Sequence, residues 1–274
     1  MHALLKQHIV DVYVWVDDTL KEVKLVQKTG RPPVLRDSEL LTILIWDGLS
    51  EGHRTLKQVY GWMKRDYSDY FPRLPKYQNF VAQVHRNLGR LVYLLQLTFQ
   101  TTARLRFVDS TMLEVCKYIR YKSHKVAKGV AELGKNWQGW HYGFKLHASI
   151  DHLNRLCAVA FTPANVHDNR VEVRLANSHT KVLVGDSHYG GSVQRKQLRQ
   201  WFNCLVIAPP HYKQRKQVMA SWQHLLLTLR PKIEATFDYL KEHKYLVTSF
   251  PRSVEGYFVH YLRVLLGYQM GRVS

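Results

Sequence analysis

The sequence predicts a mixed β-sheet with helices on its faces, preceded by an all-helical region. Three observations carry this. Apolar residues recur at helical spacing through the first hundred positions. The run Tyr142–Ile150 alternates with a period of two, the mark of a strand. Beyond it, short apolar runs alternate with helical segments, the pattern of a sheet covered by helices. A chain of 274 residues suits two domains, read here as 1–100 and 101–274.

In the first domain, Leu5, Ile9, Val12, Val16, Leu20 and Val23 form one helical stripe, broken by Arg31-Pro32-Pro33. Asp37 and Ser38 are good N-caps for a helix over Glu39–Asp47, with Gly48 and Gly52 ending it. Leu56, Val59, Tyr60 and Met63 mark a third helix, followed by breaks at Pro72 and Pro75. Phe80, Val84, Leu88, Leu91 and Leu95 lie on one stripe and predict a single fourth helix. A small helical module of this kind suits a helix-turn-helix-like DNA reader or a dimerisation bundle.

In the second domain, Leu105–Val108 is a short apolar strand ending in Asp109. Within Tyr142–Ile150, apolar positions alternate with Gly143, Lys145, His147 and Ser149, predicting a half-buried strand. A turn at Asp151–Arg155 leads to a strand over Leu156–Phe161, so the two form an antiparallel hairpin. Val182–Val184 is a buried strand followed by Gly185-Asp186; Gln194–Phe202 reads as a helix, and Cys204–Ala208 as a strand stopped by Pro209-Pro210. A last helix starts near Pro231, a residue suited to a first turn, and buries Ile233, Phe237 and Leu240.

Composition narrows the function. Lys and Arg number 40 against 21 Asp and Glu, a formal charge of +19 spread along the chain. The anion that most commonly balances such an excess is nucleic acid; a membrane surface is the other reading. No run of 18 apolar residues occurs and Met1–Lys28 is punctuated by charges, so neither a membrane span nor a secretory leader is expected. Cys116, Cys157 and Cys204 form no CxxC pair, which argues against a disulfide framework or zinc ribbon and suits a reducing cytoplasm. No GxxxxGK[ST] loop is present, so a nucleotide-driven motor is not indicated.

Three carboxylates stand out by position. Asp109 and Asp186 each follow an apolar strand, 77 residues apart, and Glu234 lies on a helix 48 residues further on. A lone Asp at a strand end is ordinarily a cap or turn residue. Three acids converging at one end of a sheet would repel one another unless a cation neutralised them. Oxygen ligands without a His/Cys cluster favour Mg²⁺ or Mn²⁺, and metal-assisted phosphoryl transfer is the matching chemistry. Arg230, Glu234 and Lys241, spaced by four and seven, share one helix face. They can grip phosphate beside the metal, or form an ordinary solvated ion pair worth about 0.3–0.5 kcal/mol. Asp238, one turn on, competes with Glu234 as third ligand.

The stretch Lys117, Arg120, Lys122, Lys125 and Lys128, interleaved with Tyr118 and Tyr121, suits contact with a DNA backbone and its bases. Lys213, Arg215 and Lys216 repeat the theme more weakly. Trp137 and Trp140 either pack in the fold or stack on a displaced base. His167-Asp168 lacks a nucleophile nearby and reads as a structural or supporting pair.

Val108-Asp109-Ser110, Tyr142-Gly143-Phe144-Lys145-Leu146-His147, Thr162-Pro163-Ala164-Asn165-Val166-His167-Asp168, Gly185-Asp186 and Arg230-x-x-x-Glu234 with Lys241 occur in that order. This series resembles bacterial insertion-sequence DDE transposases over roughly residues 30–260. The resemblance implies an RNase H-like core in 101–274 behind a helical DNA-binding or dimerisation region in 1–100. It makes Asp109, Asp186 and Glu234 the metal-binding triad, loaded with Mg²⁺ or Mn²⁺. Arg230 and Lys241 would contact double-stranded DNA at the terminal inverted repeats. Lys145, counted among the DNA contacts, and His147 would line the polar face of the second core strand. The implied protein works as a homodimer on element ends and target DNA, at the nucleoid in the bacterial cytoplasm. It cleaves DNA hydrolytically and joins 3′-hydroxyl ends to a target. A metal-dependent nuclease without strand transfer and a non-catalytic DNA-binding relic are the alternatives. Two positions depart from the family: Leu227 where a Tyr is common, and His188 where a Gly is common. Neither is expected to touch a triad residue.

Overall fold

The structure, a computed structural model, describes residues 8–23, 33–50, 52–210 and 219–273. Leu5, Arg31, Pro32 and the basic trio Lys213, Arg215 and Lys216 lie outside these residues. In chain order come helices α1 (Ile9–Glu22), α2 (Asp37–Leu49), α3 (Leu56–Asp66), α4 (Tyr77–Arg86) and α5 (Leu88–Leu97). Strands β1 (Leu105–Cys116), β2 (Glu132–Asn136), β3 (Gly139–Ile150), β4 (Leu156–Pro163) and β5 (Val182–Val184) follow. The chain then forms α6 (Ser192–Phe202), β6 (Leu205–Ile207), α7 (Ser221–Thr228), α8 (Pro231–Glu242) and α9 (Val254–Val273). These divide into two compact units: Met1–Thr98 together with Leu240–Ser274, and Phe99–Tyr239. The C-terminal segment therefore groups with the N-terminal helices rather than with the sheet.

The helical unit is built around α2. Its residues Leu40, Leu41, Ile43, Leu44 and Ile45 are all buried, so it is apolar all round and forms the centre of the unit. The helix starts two residues earlier than its sequence suggests. Glu39 Oε2 accepts from the Arg36 N–H at 2.6 Å, so Arg36 is the cap position and Asp37 and Ser38 lie in the first turn. Asp37 is used elsewhere: it accepts from Asn87 Nδ2 at 2.8 Å and pairs with Arg90 Nη1 at 3.0 Å.

That bond also splits the expected fourth helix. Asn87 is fully buried, donates to Asp37 and to the Gln83 carbonyl, and separates α4 from α5. The apolar stripe runs through both pieces, so its period cannot reveal the break. Gly48 does not end α2 but lies inside it. A Cβ there would stand 2.3 Å from the Arg263 carbonyl oxygen, and one at Gly267 would stand 2.2 Å from the Gly48 carbonyl carbon. Backbone therefore meets backbone where α2 crosses α9.

The second unit holds a six-stranded sheet in the order β2-β3-β1-β5-β6, with β4 also paired to β3. β1, β2 and β4 run antiparallel to β3, the β3–β4 pairing being the expected hairpin, whereas β5 and β6 continue from β1 in parallel. The sheet is thus mixed, with α6 packed through Leu198 into a core of Val108, Leu175, Leu183, Tyr189, Cys204 and Val206. Cys116, Cys157 and Cys204 are free thiols.

β3 is covered on both faces rather than half-buried. Two of its polar positions find partners within the unit: Ser149 Oγ donates to the Leu175 carbonyl at 2.8 Å and His147 Nε2 sits 2.9 Å from Thr162 Oγ1. Among the described residues no helix is long and apolar enough to cross a membrane.

Candidate active site

The sequence places Asp109 at the tip of a short strand. It lies instead mid-way along β1, because β1 continues to Cys116 as the partner of β3. The run Ser110–Glu114 mixes Met112 and Leu113 with polar residues, so it carries no long apolar stretch, yet it pairs residue by residue with the strongly patterned β3. The other edge of β1 explains why Asp109 is still accessible. There β5 pairs only as far as Phe107↔Val184. Asp109 and Asp186 each lie two residues beyond that last pair. Adjacent parallel strands run about 4.8 Å apart, so the two carboxylates are neighbours where the β1–β5 ladder stops.

Their electrostatics match that placement. Burial pushes the Asp109 carboxyl up to about 7, and the negative charges of Asp186 and Glu234 push the same way. The Ser110 N–H, donating to Oδ1 at 2.7 Å, and the Arg230 guanidinium oppose the shift. Asp186 is held by one residue twice. The His188 backbone N–H donates to Oδ1 at 2.8 Å and the His188 Nδ1 lies 2.9 Å from Oδ2. Contrary to expectation, this departure from the family pattern does touch one of the three acids, Asp186. That hydrogen bond raises the His188 pKa.

Glu234 enters from the first turn of α8, which Pro231 opens as the sequence suggests. Arg230 bridges two of the acids: Nη1 lies 3.5 Å from Asp109 Oδ2, and Nη2 is hydrogen-bonded to Glu234 Oε1. Asp238, the rival acid one turn on, is exposed, and it is Glu234 whose charge acts on Asp109. Lys241 lies in the last turn of α8. Among the described residues no group of three or more His, Cys, Asp or Glu side chains stands close enough to hold a metal ion in this arrangement.

A family model described as Transposase DDE domain matches residues 99–254, more than half of the chain. The chain belongs to this family of DDE transposases. No curated protein matches the sequence. The matched span contains the whole sheet, Asp109, Asp186 and all of α8.

Next to the acids the transposase carries a polar cluster that no single motif announces. Asp168 Oδ1 accepts from Ser110 Oγ at 2.7 Å and from Lys145 Nζ at 3.2 Å, and lies 3.4 Å from His147 Nδ1. Lys145 also donates to the Val166 carbonyl at 2.9 Å. Its ammonium group is therefore bonded inside the unit. Burial pushes His147 down to about 4, so it is neutral at ordinary pH. Asp168 takes its partners from β1 and β3, and with the neighbouring His167 it lines a cavity of about 320 Å³ shared with His188 and the Gly190-Gly191 turn. Glu172, unmarked in the sequence, is fully buried and accepts from the Gly190 N–H through both oxygens, at 3.1 and 2.9 Å.

The basic stretch has a definite shape. Tyr118–Ser123 is a 3₁₀ helix, and Lys117, Arg120, Lys122, Lys125 and Lys128 are all exposed. Tyr118 stacks on Tyr121, their ring centres 5.4 Å apart, and Tyr121 and His124 both lean on Tyr142 of β3.

Proposed function

We propose that this transposase cuts DNA at the ends of its element and joins the 3′-hydroxyls to target DNA, with Asp109, Asp186 and Glu234 as catalytic carboxylates. The observation that carries this reading is the parallel register of β1 and β5, which sets Asp109 beside Asp186, while Arg230 ties Asp109 to Glu234. The antiparallel-then-parallel strand order supports reading the unit Phe99–Tyr239 as an RNase H-like core. The helical unit is read as the DNA-end reader or the surface that pairs two copies into a homodimer on DNA. Its place of action is the bacterial cytoplasm, at the nucleoid.

The donor set fits a hard dication. All three ligands are carboxylates, and Asp109 resists carrying its charge unless a cation lies close by. Bound by Asp109, Asp186 and Glu234, Mg²⁺ or Mn²⁺ would activate the attacking water or 3′-hydroxyl and stabilise the leaving oxygen. The chain's own residues prepare this. His188 fixes the orientation of Asp186 through two hydrogen bonds. Arg230 neutralises Asp109 and Glu234 and is placed to exchange them for a DNA phosphate, an anion that suits its planar fork. Lys241, Lys117, Arg120, Lys122, Lys125 and Lys128 supply further backbone contacts.

Asp109→Ala, Asp186→Ala and Glu234→Ala are each expected to abolish cleavage of a duplex carrying the inverted repeats that flank the gene, while leaving duplex binding largely intact. Full metal-dependent cleavage by Asp186→Ala would overturn the assignment. Supplying a pre-cut end tests strand transfer separately, since a nuclease would not join it to a target.

A further inference from the structure

The hairpin formed by β2 and β3 ends in a two-residue turn, Trp137-Gln138, beyond the pair Asn136↔Gly139. Trp137 is 91% exposed there. An indole normally buries 150–250 Å², so one held almost wholly in water at a loop tip lacks the surface that would normally cover it. The turn is also braced. Asn136 Oδ1 accepts from the Gln138 N–H at 2.9 Å and lies 2.7 Å from His141 Nε2, and His141 Nδ1 is bonded in turn to Glu114 of β1. Trp137 is therefore presented on a fixed support anchored two strands into the sheet.

Its surroundings are cationic and aromatic. Trp140, half exposed, lies opposite Lys135 in the hairpin, whose Nζ stands 5.6 Å from the ring centre. At the base of the hairpin, Tyr142 carries Tyr121 and with it the exposed basic 3₁₀ helix and its stacked tyrosines. The acids of this region, Glu114 and Glu132, are outnumbered by Lys117, Arg120, Lys122, Lys125, Lys128 and Lys135. A flat apolar ring on a braced tip, with Lys135 in the same hairpin and a basic 3₁₀ helix at its base, matches one chemistry: an unpaired nucleobase attached to a phosphate backbone.

We infer that the β2–β3 hairpin is a base-stacking device, with Trp137 packing on an unpaired DNA base next to an end or a nick and the neighbouring cations holding the flanking phosphates. The inference rests on DNA being the partner of this transposase. It goes beyond the carboxylate site, because it assigns the hairpin a single-stranded segment rather than duplex. Base stacking tolerates any sequence, since every base has a π face.

The test uses the full chain and two probes: a blunt duplex, and the same duplex with a short 3′ overhang carrying 2-aminopurine. The parent protein should bind the overhang probe more tightly and change its 2-aminopurine fluorescence on binding. Trp137→Ala should lose about tenfold in affinity for the overhang probe, with the fluorescence change abolished and blunt-duplex binding unchanged. Trp137→Phe should restore part of both. Lys122→Ala should weaken both probes alike. If Trp137→Ala keeps the parental preference and signal, or loses both probes equally, the inference is wrong. A shift in oligomeric state with unchanged DNA binding would also overturn it, making the tip a contact between copies. If the parent binds neither probe, the DNA reading itself fails, a result distinct from the others.

Discussion

Glu172 sits where a charge is expensive. It is fully buried, and although two hydrogen bonds from the Gly190 N–H favour its ionised form, burial wins and pushes its pKa from 4.5 up to about 7. A raised carboxyl pKa means that the folded state holds the proton more tightly than the unfolded chain. The associated stability is present below about 4.5 and is lost as pH rises towards 7. Glu172→Gln keeps an acceptor for Gly190 and removes the ionisation. The variant should match the parent near pH 4.5 and become relatively more stable by pH 8, by up to about 3 kcal/mol. Thermal melts at the two pH values measure this. A variant-minus-parent difference that does not change with pH would sink it. Nothing in Val171-Glu172-Val173 singles this residue out, since its role depends on a turn 18 residues away. Asp109 and Asp186 were legible because each follows an apolar run that must be a buried strand. Their adjacency was not, because it depends on which strand pairs with which.

Elements were readable wherever one face is apolar and the other polar. The stripes of α1, α3 and α8 and the alternation of β3 are of this kind, and each forms close to its expected bounds. Three features carried no such contrast. α9 is buried on nearly every side, so it has no period to detect. β1 beyond Asp109 blurs the contrast, with Thr111 beside Leu113 and Val115 on its buried face and Met112 on the other, and it pairs with β3 throughout. The α4–α5 break is a single side chain bonding to Asp37, 50 residues away. Gly48 belongs here too: it reads as a helix terminator and serves as a crossing point. Gly48→Ala should cost about 1–3 kcal/mol, because the methyl meets backbone atoms of α9 that cannot swing aside. Gly61→Ala on α3, where nothing lies within 4 Å, should instead stabilise by about 0.5–1 kcal/mol through helix propensity. Opposite shifts in Tm are the expected result. A tolerated Gly48→Ala would mean that α2 and α9 do not cross so closely.

For the molecule as a whole, the charge of +19 matters chiefly through the counterions it displaces from DNA. Each cation that contacts a phosphate adds about 0.9 to the slope of log affinity against log salt. Which of the 40 Lys and Arg residues contribute cannot be read from composition, but the structure separates two kinds. Lys122 and Lys125 are exposed around the 3₁₀ helix, free to meet a phosphate. Lys145 has an 11% exposed side chain with its Nζ bonded to Asp168 and to the Val166 carbonyl. Replacing Lys122 and Lys125 together by Ala should lower the salt slope by about 2 and leave the melting temperature nearly unchanged. Lys145→Ala should do the reverse. Its loss leaves the Val166 carbonyl without the Lys145 donor and Asp168 without its paired cation, with only Ser110 Oγ still donating to it, a defect of about 1–3 kcal/mol in folding stability, and the salt slope should hold. Affinity measured on one duplex at several salt concentrations, beside melting curves of the same variants, distinguishes the two. A slope that drops for Lys145→Ala but not for the exposed pair would place the DNA track over the polar cluster beside Asp109 instead of over the 3₁₀ helix.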